Sequence, residues 1–226
     1  MAAIFITATG TDVGKTYVAA SLIHHLRGMG RLVDAIKPVA SGFDPAALAA
    51  SDAGVLLGAL GLPVTEQEID RICPWRFQAP LSPDLAAARE GRSIDVDAVI
   101  SFCQTAIERQ RDILLIEGVG GIMVPLYNER TILDVMMALQ LPLILVTGSY
   151  LGTISHTLTA LDAVFRRGLQ VLSIVVSETP GSAVPLDDTV AAIARFAEPV
   201  IGLSRQSTAA GKTNGTTEAL SRLFGR

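Results

Sequence analysis

The stretch Ile4-Phe5-Ile6-Thr7-Ala8-Thr9-Gly10-Thr11-Asp12-Val13-Gly14-Lys15-Thr16 runs from a short apolar segment through a glycine-bearing turn. Beyond it, Val18, Ala19, Leu22, Ile23 and Leu26 recur at helical spacing. The order predicted is a buried strand, a tight turn and a helix. Backbone N–H groups in such a turn, with the unpaired N–H groups and positive dipole end of the helix, form a cradle for phosphate oxygens. Lys15 would reach the outer phosphates, and the Thr16 hydroxyl would bind Mg²⁺. The match to the phosphate-loop pattern GxxxxGK[ST] is imperfect, because Thr9 stands where the first glycine falls and Gly10 comes one step later. Gly211-Lys212-Thr213 mimics the end of such a loop without a preceding strand and is read as coincidence.

Outward from this unit, apolar runs rich in branched residues recur at 3–7, 32–37, 112–117, 142–147, 171–177 and 199–202 and read as buried strands. Amphipathic segments lie between them, among them Val96, Val99, Ile100, Cys103 and Ile107. Strand and helix alternate, which implies right-handed crossovers and a mostly parallel sheet with helices on both faces, a three-layer α/β fold of the P-loop NTPase kind. Ligands in such sheets collect beyond the carboxyl ends of the strands. One domain spanning 1–226 is expected, with a Ser-, Thr- and Gly-rich loop over 204–217, expected to be mobile, before a short amphipathic ending at 219–224.

Half of the 226 residues are hydrophobic and 18% are charged, so the chain can bury a large core and does not read as disordered. Its apolar runs are too short or too interrupted for a membrane span. The net charge of -4 lacks the positive field that non-specific binding to nucleic acid requires. No leader pattern precedes the first strand, and a cytoplasmic location is expected. Cys73 and Cys103 have no metal-ligand spacing and read as buried small hydrophobes.

Three further residues suit nucleotide chemistry. Glu117 ends the run Asp112-Ile113-Leu114-Leu115-Ile116, which would hold its carboxylate at the sheet edge near Mg²⁺, and Gly118, Gly120 and Gly121 would leave room for a ligand against bare backbone. Lys37 closes the second strand and would point into the same crevice. Ser51 and Asp52 open a helix carrying Val55, Leu56 and Leu60; N-capping fully explains one of the two, so spacing alone leaves Asp52 open between cap and metal ligand.

Gly10 to Thr16, Lys37-Pro38-Val39-Ala40-Ser41-Gly42, Ala79-Pro80-Leu81-Ser82-Pro83, Glu90-Gly91-Arg92 and Glu117-Gly118-Val119-Gly120-Gly121 together resemble the dethiobiotin synthetase family, in order and at similar spacing. The resemblance extends from Ile4 to about Val176. It implies ATP- and Mg²⁺-dependent carboxylation and ring closure of 7,8-diaminononanoate with CO₂, through a carbamate and a carbamic-phosphate intermediate, in biotin synthesis. It implies catalytic roles for Lys15, Lys37 and Thr11, and Mg²⁺ ligation by Thr16, Asp52 and Glu117. Nucleotide contacts would come from Asp12, Val13, Gly14, Lys15, Thr16, Tyr17, Glu117, Gly118, Gly120 and Ser177. Substrate contacts would come from Thr11, Lys37, Ser41 and Gly120. Family members are homodimers, which implies that Leu151, Gly152 and Ser155 serve the substrate carboxylate at a helix start of the other subunit.

This sequence departs from the family at several points. Ala8 replaces a common glycine, which requires a negative φ there. Asp12 and Ser155 replace Glu and Asn. Ser177 stands where many relatives place an adenine-reading Asn, and Ser204 departs from a Pro-containing loop across the base. A hydroxyl cannot pair bidentately with a purine edge, so weak discrimination among nucleoside triphosphates is expected. The rival classes are a regulatory or partitioning ATPase of the same architecture and a nucleotide-binding module without catalysis. The former usually carries a second lysine early in the loop, where this chain has Gly10.

Overall fold

The computed structural model describes residues 2–205. The expected loop over 204–217 and the ending at 219–224 therefore lie outside the described residues, except for Ser204 and Arg205. The chain opens with β1 (Ala2–Ala8), α1 (Lys15–Gly28), β2 (Val33–Ile36), β3 (Val39–Ser41), α2 (Asp52–Ala59), α3 (Glu66–Ile72) and β4 (Trp75–Phe77). It continues with α4 (Pro83–Arg89), α5 (Val96–Arg109), β5 (Ile113–Glu117), β6 (Pro125–Tyr127), β7 (Arg130–Thr131) and α6 (Ile132–Leu139). The last elements are β8 (Leu143–Gly148), α7 (Thr153–Arg166), β9 (Val171–Ser177), α8 (Leu186–Ala194) and β10 (Val200–Leu203).

The six apolar runs read as strands all enter one sheet, in the order β10-β9-β8-β1-β5-β2, with every neighbouring pair parallel. In β5 and β8 every residue is buried, and in β1 all but the first. Consecutive strand residues point to opposite faces, so this pattern requires cover on both sides, which the helices supply. The chain first moves outward from β1 to β2, fills in β5, then crosses β1 to lay down β8, β9 and β10. The order reverses at β1, and a crevice opens beyond the carboxyl ends of the strands flanking such a reversal.

Two small sheets, β3 with β4 and β6 with β7, lie outside the main one. In β4, Phe77 is core, and Trp75 packs edge-on against Phe102 with ring centroids 5.7 Å apart. Both cysteines are free and buried, and burial pushes each thiol up to about 12. No helix among the described residues is long and apolar enough to cross a membrane.

Candidate functional site

The turn between β1 and α1 is shaped by two residues in the left-handed region, Asp12 at φ 57° and Gly14 at φ 100°. Gly14 is also the residue from which α1 starts, and no side chain caps that helix. A Cβ on Gly14 would fall 2.4 Å from the Ser177 Oγ, so both conformation and space demand glycine. Ala8 is not among the residues with positive φ and fits its strand position without strain. The Lys15 Nζ curls over the loop and donates to the Gly10 carbonyl at 3.1 Å. Burial lowers its pKa to about 8, and the positive charge of Lys37 pushes the same way.

Beside the loop, two carboxylates and a second lysine interlock. The Lys37 side chain lies just past β2 and is 2% exposed; Glu117, closing β5, is 1% exposed. The Lys37 Nζ sits 2.6 Å from Glu117 Oε1 and 2.8 Å from Asp52 Oδ2, and donates to the Gly118 carbonyl at 3.0 Å. An ammonium carries three donors, and all three are used. The Thr16 hydroxyl lies 2.8 Å from both Asp52 Oδ1 and Glu117 Oε1. Burial lowers the Lys37 pKa, but the charges of Glu117 and Asp52 outweigh it and hold the group above its ordinary value. For Asp52 burial raises the pKa, and Lys37 more than offsets that, leaving the carboxyl below its usual range.

The structure separates the two residues that open α2. The Ser51 Oγ accepts from the Gly54 N–H at 3.0 Å and donates to the Leu48 carbonyl at 2.6 Å, so Ser51 is the cap. Asp52 is thereby available to Lys37 and Thr16. Thr16, Asp52 and Glu117 suit a hard divalent cation. They present a hydroxyl and two carboxylates together, and the Glu117 Oε2 is buried without a hydrogen-bond partner. Among the described residues no three His, Cys, Asp or Glu side chains gather as a metal cage. A cation here would complete its shell with phosphate oxygens and water, as Mg²⁺ does.

Lys15, Thr16, Lys37 and Asp52 line one cleft of about 890 Å³, whose walls also include Thr11, Asp12, Tyr17, Ser41, Gly42, the Pro80 to Pro83 turn, Gly120 and Arg205; Glu117 is buried behind Lys37 and Thr16 and does not line it. Not every expected residue is there. Val13 is buried at the base of the turn, and Ser177 is buried beneath Gly14 with its hydroxyl unpartnered. The glycines after β5 leave less open space than expected. A Cβ on Gly118 would fall 2.9 Å from the Phe5 ring, and one on Gly121 would fall 3.1 Å from the Thr9 carbonyl oxygen. Protein atoms occupy those approaches, and of the three only Gly120 lines the cleft.

Leu151, Gly152 and Ser155 lie apart from the cleft, where β8 hands over to α7. Gly152, at φ 97°, starts α7 with no side-chain cap. Among the described α-helices, α1 and α7 share a feature: neither has an acidic residue in its first turn, whereas the other six do. A line of hydroxyls, buried from Thr147 onward, runs from the end of β1 to the start of α7. Thr9 Oγ1 lies 3.0 Å from Thr147 Oγ1, which lies 2.7 Å from Thr153 Oγ1, and Thr153 donates to the Gly148 carbonyl at 2.7 Å. Thr157 closes the group through its contacts with Thr147 Oγ1 and the Thr153 carbonyl.

The sequence reading assigned no role to Arg205, which reaches the cleft from the segment after β10. A lone arginine beside a Ser- and Gly-rich stretch carries no spacing signal. On α7, His156 pairs with Tyr150 at 2.9 Å and Arg166 with Asp162 one helical turn back.

A family model described as an AAA domain matches residues 2–203. The ATP-dependent dethiobiotin synthetase BioD of Methylobacterium nodulans is 49% identical over 203 residues, covering 87% of this chain and 90% of that protein. The enzyme of the same name from Acidiphilium cryptum is 48% identical over 190 residues, covering 84% and 85%. Among solved structures, the MinC:MinD cell division complex of Aquifex aeolicus aligns with a TM-score of 0.61 at 14% identity, over 100% of this chain and 97% of that one. At that identity the likeness is one of fold alone.

Proposed function

Since this chain belongs to the dethiobiotin synthetase family and is an ATP-dependent ligase of dethiobiotin synthesis, we propose that it closes a cyclic urea on 7,8-diaminononanoate with CO₂ while ATP is split to ADP and phosphate. One amine of the substrate adds to CO₂ and loses a proton, giving a carbamate. A carbamate oxygen attacks the γ-phosphorus and ADP leaves. The second amine then attacks the carbonyl carbon, phosphate departs, and a proton is released as the ring closes. The single observation that carries this reading is the convergence of Lys15, Lys37, Thr16 and Asp52 on one cleft, with the buried Glu117 carboxylate bound to Lys37 and Thr16 behind it.

Phosphoryl transfer needs positioning and cancellation of charge rather than a protein nucleophile. Lys15 and Lys37 supply two cations for the phosphate oxygens and for the carbamate that meets them. The uncapped start of α1 offers N–H groups to the phosphates. Mg²⁺, held by Thr16, Asp52 and Glu117, would neutralise charge on the transferring phosphoryl group. Thr11, Ser41 and Gly120 face the same space and serve the substrate, and Tyr17 with the backbone from Asp12 to Thr16 serves the nucleotide.

A homodimer belongs to this reading. Leu151, 92% exposed beside the uncapped start of α7, is placed to meet a second copy, whose substrate carboxylate would dock on the free N–H groups near Gly152 and Ser155. A cytoplasmic setting follows from the ATP that the reaction consumes. The deciding experiment incubates purified protein with ATP, Mg²⁺, bicarbonate and 7,8-diaminononanoate. Dethiobiotin is expected by mass, with ADP in equal amount; phosphate release without dethiobiotin would overturn the reading.

A further inference from the structure

The cleft has two ends. Lys37 and Ser41 lie toward the β5 and β2 side of the sheet, whereas Arg205 follows β10 at the opposite side. With the outer phosphates at Lys15 and Lys37, the nucleoside of a bound triphosphate leads away past Gly14 and Tyr17 toward Arg205. There the Arg205 guanidinium lies over the Tyr17 ring, 4.9 Å from its centroid, and its Nη2 is 3.1 Å from where a Cβ on Gly14 would be.

Both side chains are fastened in place. The Arg205 backbone N–H donates to Glu178 Oε2 at 2.9 Å, and its Nε donates to the Glu178 carbonyl at 3.2 Å. The Tyr17 hydroxyl donates to the Ser204 carbonyl at 3.0 Å, and the Ser204 hydroxyl donates to Glu178 Oε2 at 2.6 Å. Among the described residues, the two side chains next to Arg205 that could read a base by its edge are turned from the cleft. The Ser177 hydroxyl is sealed beneath Gly14, the Glu178 carboxylate accepts from Ser204 and Arg205, and neither residue lines the cleft.

We propose that the Arg205 guanidinium, held over the Tyr17 ring, is the platform on which the nucleotide base stacks, so that this site takes bases by their faces rather than their edges. A guanidinium is planar and weakly hydrated and stacks readily on π-systems. Every nucleobase has such a face, and stacking on it is tolerant of base identity. A fastened platform also loses little freedom when the ligand arrives. The assignment rests on the nucleotide reading given above and names how that site treats the nucleoside.

Calorimetric titration of the full chain with ADP, GDP and CDP in Mg²⁺, and with inorganic triphosphate alone, tests it. The three nucleotides are expected to bind within about tenfold of one another, as face stacking implies. Arg205→Ala should weaken all three by about tenfold or more and leave inorganic triphosphate unaffected. Arg205→Lys, which keeps the charge and loses the plane, should behave like the alanine variant. Wild-type binding by the lysine variant, an equal loss of inorganic triphosphate, or a preference of about a hundredfold or more for one base would overturn the assignment. Dethiobiotin formation by the wild type, measured in parallel, keeps the two readings distinct: its failure sinks the proposed reaction and leaves these binding ratios standing.

Discussion

At the scale of single residues, the two lysines of the cleft differ in what else depends on them. The Lys15 ammonium meets only a loop carbonyl, so Lys15→Ala should lower turnover by on the order of a hundredfold while thermal stability barely moves. Lys37 is the buried partner of Glu117. Lys37→Ala should lower turnover as much and also cost about 3–5 kcal/mol of stability, because a carboxylate is left in the interior without its counter-charge. Steady-state rates and denaturant unfolding of both variants check the contrast; equal stability losses would refute it. Gly-Lys-Thr at a strand-to-helix junction made Lys15 and Thr16 legible in the sequence, and Glu117 followed from the apolar run before it. The burial of Ser177 and the placement of Arg205 were not legible, because each depends on what another strand brings alongside.

At the scale of elements, helix starts divide by task. Ser51 caps α2 and so leaves Asp52 to the site. Ser51→Ala should cost about 1 kcal/mol, or roughly 2–4 °C in Tm for a chain of this size, and should weaken nucleotide binding as Asp52 loosens; unchanged Tm would show that the cap is idle. In α6, burial opposes the charge of Asp134, but the Thr131 N–H at 2.7 Å and hydroxyl at 2.9 Å hold its pKa below the usual carboxylate range. A depressed folded-state pKa gives stability that is present above the unfolded value near 4 and lost as pH falls through the folded one. Asp134→Asn should therefore flatten the loss of stability on acidification below about pH 4, as read by unfolding curves at stepped pH. β1, β5 and β8 were legible because apolar runs with both faces buried stand out from any amphipathic pattern, whereas the four-residue edge strands β2 and β10, only partly buried, were legible as branched apolar runs in step with the alternation of strand and helix. β3, β4, β6 and β7 were not, since two or three residues are too few to show a period.

At the scale of the whole molecule, the parallel sheet delivers two helix starts of the same design to one edge, because β1 and β8 are neighbours and α1 and α7 follow them. If α7 serves a second copy, Leu151→Asp should convert a dimer into monomers by light scattering. It should also raise the KM for diaminononanoate on the order of tenfold, the scale of a lost charge–dipole contact; a monomeric wild type would refute the arrangement. The line of threonines from the end of β1 to the start of α7 has a polarity settled at its far end. Each hydroxyl owns one hydrogen, and that of Thr153 is committed to the Gly148 carbonyl. Thr147 must therefore point its hydrogen at Thr153, and Thr9 must point its own at Thr147. Its hydroxyl hydrogen is thus spent on Thr147 and its backbone N–H on the Val146 carbonyl, and it does not line the cleft, so the residue standing at the loop's missing glycine can brace the anion's cradle but cannot join it.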